Sequence, residues 1–199
     1  MLREYIPLPE RLVERDLTYH EPRHVLPARV KLNSSALDSM TDLRLVTTVT
    51  IRADVTIDSA NERMKKRGVR LLLVVDESRH VEGVITAADV LGERPMQVVH
   101  SRGVHREEVL VRDVMTPHSE LHVLQMEDVR VAKVGHVVAT LKAAGRQHAI
   151  VVDRDEQGRQ MVRGIFSASQ IARQLGVVIQ TTEVARTFAE IESMLTRAG

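Results

Sequence analysis

Thr86 and Asp89 stand three positions apart where the apolar run Val81 to Ile85 gives way to a helix-forming stretch, and they carry the most usable chemistry in the chain. A strand running straight into a helix points free backbone N–H groups and a partial positive charge outward, which suits a phosphate. A carboxylate at that mouth can accept from two vicinal hydroxyls, as the acidic ribose reader of dinucleotide folds does. The same Thr-x-x-Asp spacing is also a capping box, worth on the order of 1 kcal/mol to the helix with no ligand present. Ser167-x-x-Gln170 repeats the arrangement later in the chain with an amide in place of the acid. Capping is expected to survive that change and the charged diol acceptor is not, so the Asp89 end is the better candidate site.

Other candidates are weaker. Arg70 and His148 stand at the entry to an apolar run in each half. There a guanidinium could fork onto a phosphate or simply be solvated. Thr47, Thr48 and Val49 read equally as a pocket wall or as ordinary strand residues. His20/His24 and His118/His122 have the i, i+4 spacing of a metal pair, but Pro22 interrupts the first and the second falls where loop and strand are expected. The first pair spells His20-Glu21-x-x-His24, but Pro22 inside it breaks the helix that would bring both imidazoles onto one face, so no metal is expected. No GxSxG elbow is present, and no catalytic constellation emerges.

Composition narrows the classes. Aromatic residues make up 2% of the 199, too few for a base-stacking nucleic-acid surface. The net charge of +1 and pI near 8.2 argue for neither a DNA nor a membrane partner. The chain has no cysteine, which excludes disulfides and thiol catalysis and fits a cytoplasmic protein. No apolar run approaches the roughly 20 residues of a membrane span.

The positioning elements recur. Thr47–Ile51 reads as a strand, and Ile57, Ala60 and Met64 read as a helix face closed by Gly68. Leu71–Val75 and Val81–Ile85 read as a hairpin, followed by the helix at Thr86. The second half runs the same way: a strand at Leu121–Leu124, a helix stripe Val134, Val137, Val138 and Leu141 stopping at Gly145, strands at Ala149–Val152 and Met161–Phe166, and a helix from Ser167. Gly68 to Gly145 and Asp76 to Asp153 are both 77 positions apart, and the offset grows to 81 at Gly83 and Gly164. An insertion confined to a hairpin tip is where a shared fold tolerates one. The fold class is therefore α/β (α+β), two β-α-β-β-α repeats, neither of which buries its sheet well alone. Residues 41–109 hold the first repeat and a connector, in which Met96, Val98 and Val99 suggest a helical turn, and 110–178 hold the second. Residues 1–40, broken by Pro7, Pro9, Pro22 and Pro27, form an N-terminal extension, with a short apolar helical face at Ala36, Leu37 and Met40. Residues 179–199 form a C-terminal helix with Val184, Phe188, Ile191 and Leu195 on one face.

These repeats resemble a tandem pair of CBS domains, the cystathionine-β-synthase-type regulatory module. The resemblance rests on MT-x7-V-x-I-x-x-D-x-T-I-x-x-A-x-x-x-M over Met40–Met64, LLVVD, and GVIT-x-x-D over Gly83–Asp89. In the second half it rests on VMTP, AIVVD and GIFS-x-x-Q. It implies a pseudo-two-fold disc, a homodimer, and an adenine nucleotide, AMP foremost, held in a cleft between the repeats and sensed on behalf of a separate effector protein. The implied contacts are Thr86, Asp89, Gly83 and Ile85, with Ser167 in the second repeat, Arg70 and His148 toward phosphates, and Thr47, Thr48 and Val49 toward the base. The alternative is a dimeric scaffold whose clefts stay empty.

Overall fold

The structure, a computed structural model, describes residues 26–177 and Ala189. The three earliest prolines, and the expected C-terminal helix except for Ala189, lie outside the described residues.

Among the described residues eight strands form two four-stranded sheets. In the first, β2 (Thr50–Ile51) pairs in parallel with β3 (Leu71–Val75), which pairs antiparallel with β4 (Val81–Thr86) and through it with β5 (Thr116–Pro117). In the second, β6 (Val123–Gln125) pairs in parallel with β7 (His148–Arg154), then antiparallel β8 (Gln160–Ser167), then β1 (Thr41–Asp42). Helices α1 (Ile57–Arg67), α2 (Ala87–Leu91), α3 (Arg94–Arg102) and α4 (Val111–Val114) accompany the first sheet; α5 (Met126–Val131), α6 (Val134–Ala143) and α7 (Ala168–Gln174) accompany the second.

The helix limits follow from local chemistry. Thr56 caps α1 by accepting from the Ser59 N–H at 3.3 Å, and Ile57, Ala60 and Met64 form its buried stripe. Lys65, Lys66 and Arg67 complement the C-terminal dipole, and Gly68 at φ 63° turns the chain out. In α6 the stripe is Val134, Val137 and Leu141. Three elements differ from expectation. The strand over Thr47–Ile51 is confined to Thr50–Ile51, because it lies at the sheet edge with a single partner, although the Val49 carbonyl already accepts from the Leu73 N–H at 3.2 Å. The turn around Met96 is a nine-residue helix, entered at Pro95 and stopped by Gly103 in the left-handed region. The helix α5 has too short an apolar pattern to be read from sequence.

Each sheet takes its outermost antiparallel strand from the segment that leads into the other repeat. Residues leading into the second repeat lay β5 on the first sheet, and residues leading into the first lay β1 on the second. The crossings match bond for bond. Val111 N–H donates to the Val55 carbonyl (2.8 Å) and Ile57 N–H to that of Val109 (3.0 Å); Val134 N–H donates to Ser34 (3.0 Å) and Ala36 N–H to Ala132 (3.0 Å). Val30, Ala36 and Met40 consequently lie in the core of the second repeat, with Val137, Leu141, Phe166 and Ile171. Buried Gln174 ties the same segment down, its Nε2 donating to the carbonyls of Pro27 and Asp38 at 2.8 Å each. The two sheets meet face to face through Leu71, Leu73, Val84, Ile150 and Val152, and each turns its other face to its own helical core.

Candidate functional site

The contact between the sheets has two ends, one at the helix mouths and one at the hairpin tips. At the first, Thr86 and Asp89 form a complete capping box. Asp89 N–H donates to Thr86 Oγ1 (3.3 Å), while Thr86 N–H and Oγ1–H donate to Asp89 Oδ2 at 2.9 and 2.7 Å. The remaining oxygen, Oδ1, is paired with the Arg94 guanidinium at 3.0 Å, and the Asp89 side chain is 13% exposed. Both oxygens of the expected ribose reader are thus engaged inside the chain. Arg94 reaches it from the first residue of α3, in a stretch the sequence presented only as connector.

The second repeat does not mirror this cap. Ser167 makes no side-chain cap bond; its hydroxyl pairs with Ser169 at 2.9 Å, and Gln170 Oε1 accepts from Arg173 at 3.1 Å. The expectation that capping survives there is corrected: a second hydroxyl two residues on offers Ser167 a nearer partner than the helix backbone.

Arg70 and His148 are not equivalent positions. The Arg70 carbonyl accepts from Ala87 N–H (2.9 Å) as that of Gln147 accepts from Ala168 N–H (2.8 Å), whereas His148 pairs with Ser167 as Leu71 pairs with Thr86. His148 therefore stands where the first repeat has a buried leucine. Burial, and secondarily the positive charge of Arg70, push its imidazole down to about 4. Gly83 lies against the crossing strand: a Cβ there would run into the Thr116 carbonyl. Ile85 is fully buried in the helix-side core.

At the hairpin end the sheets part around a cavity of about 760 Å³. Its walls are matched pairs from the two repeats, Leu73 with Ile150, Val75 with Val152, and Thr50 with Val123. Its polar groups are Thr48 and Thr50 from the first strand region, Arg79 and His80 from one hairpin, Gln160 from the other, and His118 beyond β5. No carboxylate lines it. Of the residues expected from sequence only Thr48 reaches this cavity. Thr47, Thr48 and Val49 also line a shallower hollow of about 460 Å³ against α1, with Arg63, Lys66 and Arg67. Arg79 and His80 were missed because they sit in a turn, where sequence reading sees solvated tips, and His118 was weighed only as half of a metal pair. The available signal was a bulky residue at a turn position that favours glycine. Among the described residues no three metal-ligating side chains cluster, and no helix is long and apolar enough to cross a membrane.

A sequence-family model of the CBS domain matches residues 40–95. The first repeat is a CBS domain. The second repeat shares that topology. An uncharacterized conserved protein from Pyrococcus horikoshii shares the fold, at 18% identity over 77% of this chain and 100% of that one, with a TM-score of 0.53. The CBS-pair protein CBSX2 from Arabidopsis thaliana, solved with AMP, aligns at 21% identity over 70% of this chain and 94% of its own, TM-score 0.48. A CBS domain pair solved with 5′-methylthioadenosine and S-adenosyl-L-methionine aligns at 18% over 73% and 98%, TM-score 0.49. No curated protein matches the chain.

Proposed function

We propose that this CBS pair is a regulatory module that senses an adenosine-containing ligand held between its repeats and reports it to a separate protein. The observation that carries the reading is the cavity on the sheet-to-sheet contact, walled in equal measure by both repeats. Its size falls within the usual range for small-molecule sites, and an apolar wall with a few convergent polar groups is what such sites need. Apolar faces at Leu73 and Ile150 suit a purine, and the hydroxyls of Thr48 and Thr50 can bond its ring edge. A ligand touching both sheets binds best at one relative packing and so shifts the population toward it. The crossing strands carry any such shift to residues 26–42, because that segment is bonded to the second sheet while its chain continues into the first.

A thermal-shift series with AMP, ADP, ATP, 5′-methylthioadenosine and S-adenosylmethionine tests this. A ligand at 100 times its Kd adds about 2.7 kcal/mol, or roughly 5 to 10 °C at this chain length. Thr50→Phe, which pushes a ring into the cavity, should remove the shift and Asp89→Asn should leave it. The opposite pattern would move the ligand to the helix mouth at Thr86. No shift with any of the five would leave an unliganded scaffold.

A further inference from the structure

The hairpins closing the cavity are built on one backbone. In Asp76-Glu77-Ser78-Arg79-His80, Asp76 N–H donates to the His80 carbonyl (3.0 Å), Arg79 N–H to the Asp76 carbonyl (3.1 Å), and His80 N–H to Asp76 Oδ1 (2.7 Å). In Asp155-Glu156-Gln157-Gly158-Arg159 the equivalent bonds are each 2.9 Å. Both aspartates are held below the usual carboxylate range, first of all by these backbone bonds from His80 and Arg159. The fourth residue is left-handed in each turn, Gly158 at φ 77° and Arg79 at φ 68°.

Glycine occupies that region freely and an arginine does not. Among the described residues Arg79 is the only non-glycine with positive φ. A backbone cost retained at a cavity mouth points to a task for the side chain. Arg159, one position further along its own turn, is paired with Asp155 at 2.8 Å. Arg79 forms no ion pair or side-chain hydrogen bond among the described residues. It lines the cavity together with His80, whose ring rests on Asp76 at 3.2 Å, and His118.

We propose that Arg79 is the anion-reading residue of this cavity, binding the phosphoryl group of the ligand. This rests on the reading of the cavity as an adenosine site, and it orients the ligand: base against the apolar wall that ends at Leu73 and Ile150, phosphate toward the hairpin tips. A guanidinium fork matches phosphate oxygens two at a time, and with no carboxylate on the cavity wall nothing there opposes the charge.

Calorimetric titration of the full chain with adenosine, AMP, ADP and inorganic pyrophosphate, on the parent, Arg79→Gly and Arg79→Lys, tests it. The parent is expected to bind AMP and ADP at least tenfold tighter than adenosine. Arg79→Gly should erase that preference, leave adenosine affinity unchanged, and raise Tm by a few degrees because the turn gains its preferred residue; Arg79→Lys should keep part of the preference. An AMP-to-adenosine ratio unaltered in Arg79→Gly, or a variant that loses Tm, overturns the proposal. If no adenosine compound binds the parent, the cavity reading fails by itself. Pyrophosphate then decides: binding abolished in Arg79→Gly keeps Arg79 as an anion reader, and absence of pyrophosphate binding removes it.

Discussion

The two repeats share a backbone and differ in almost every polar fitting. On the second sheet, Arg163 of β8 is 10% exposed and its guanidinium contacts Asp42 of the crossing strand β1, with Asp153 at 3.9 Å; Asp153 in turn meets Arg130 at 3.5 Å. The equivalent of Arg163, one residue before the strand glycine of the first repeat, is exposed Glu82, and the crossing strand there offers Pro117 opposite Gly83. One crossing strand is thus held by a nearly buried ion pair, and among the described residues no ion pair reaches the other, whose approach is tied by the Arg94 guanidinium on the Val114 carbonyl at 2.8 Å. The comparison teaches that apolar pattern sets the common architecture, while the polar groups have specialised each half separately.

The largest expected effect breaks that asymmetry. Asp42→Ala leaves the Arg163 charge buried with Asp153 too distant to hydrogen-bond it, and should cost about 3 kcal/mol, a Tm loss of roughly 6 to 12 °C. Glu82→Ala should change stability by less than about 0.5 kcal/mol. Chemical denaturation of both variants checks the pair. The two glycines at the crossings come next. A Cβ on Gly83 meets the Thr116 backbone, whereas one on Gly164 meets the flexible end of Met40. Gly83→Ala should therefore cost about 2 to 3 kcal/mol and Gly164→Ala about 1.

His148 gives a pH-dependent contrast. Its folded value, about 4, lies below the ordinary 6.5. The unfolded chain therefore takes up the proton first, and stability falls as pH drops through 6.5 toward 4. The loss attributable to His148 between pH 7 and 5 is on the order of 2 kcal/mol. His148→Leu, which copies Leu71 of the first repeat, should remove that part of the acid sensitivity; unfolding measured at both pH values would show identical slopes if the idea is wrong. The smallest effect concerns the caps: Thr86→Ala should cost about 1 kcal/mol, and Ser167→Ala close to nothing, since its hydroxyl caps no helix N–H.

Much of the frame was legible in the chain. Leu71–Val75 and Val81–Thr86 are apolar, β-branched runs around a polar turn, and their counterparts at β7 and β8 read the same way. Gly68 and Gly145 ended α1 and the segment after α6 because the left-handed turn they make is open to few other residues. The crossing strands were not legible. Thr41–Asp42 and Thr116–Pro117 are two residues each, with no periodicity, and their partners lie far along the chain. The candidate site fared similarly. Thr86-x-x-Asp89 was found as a capping box, since capping is local. That Arg94 takes the remaining oxygen depended on how α3 packs after α2, and that Arg79, His118 and Gln160 meet at one cavity depended on two sheets facing each other.

By itself the amino-acid order determined the repeated β-α-β-β-α plan, its turns and its helix ends, because those arise from interactions within a few residues or from apolar periodicity. Only the tertiary structure decided which sheet receives each crossing strand, which carboxylates are already taken, and where a cavity opens between the repeats. Those outcomes depend on distant groups competing for the same contacts and burial, and no local spacing encodes the winner.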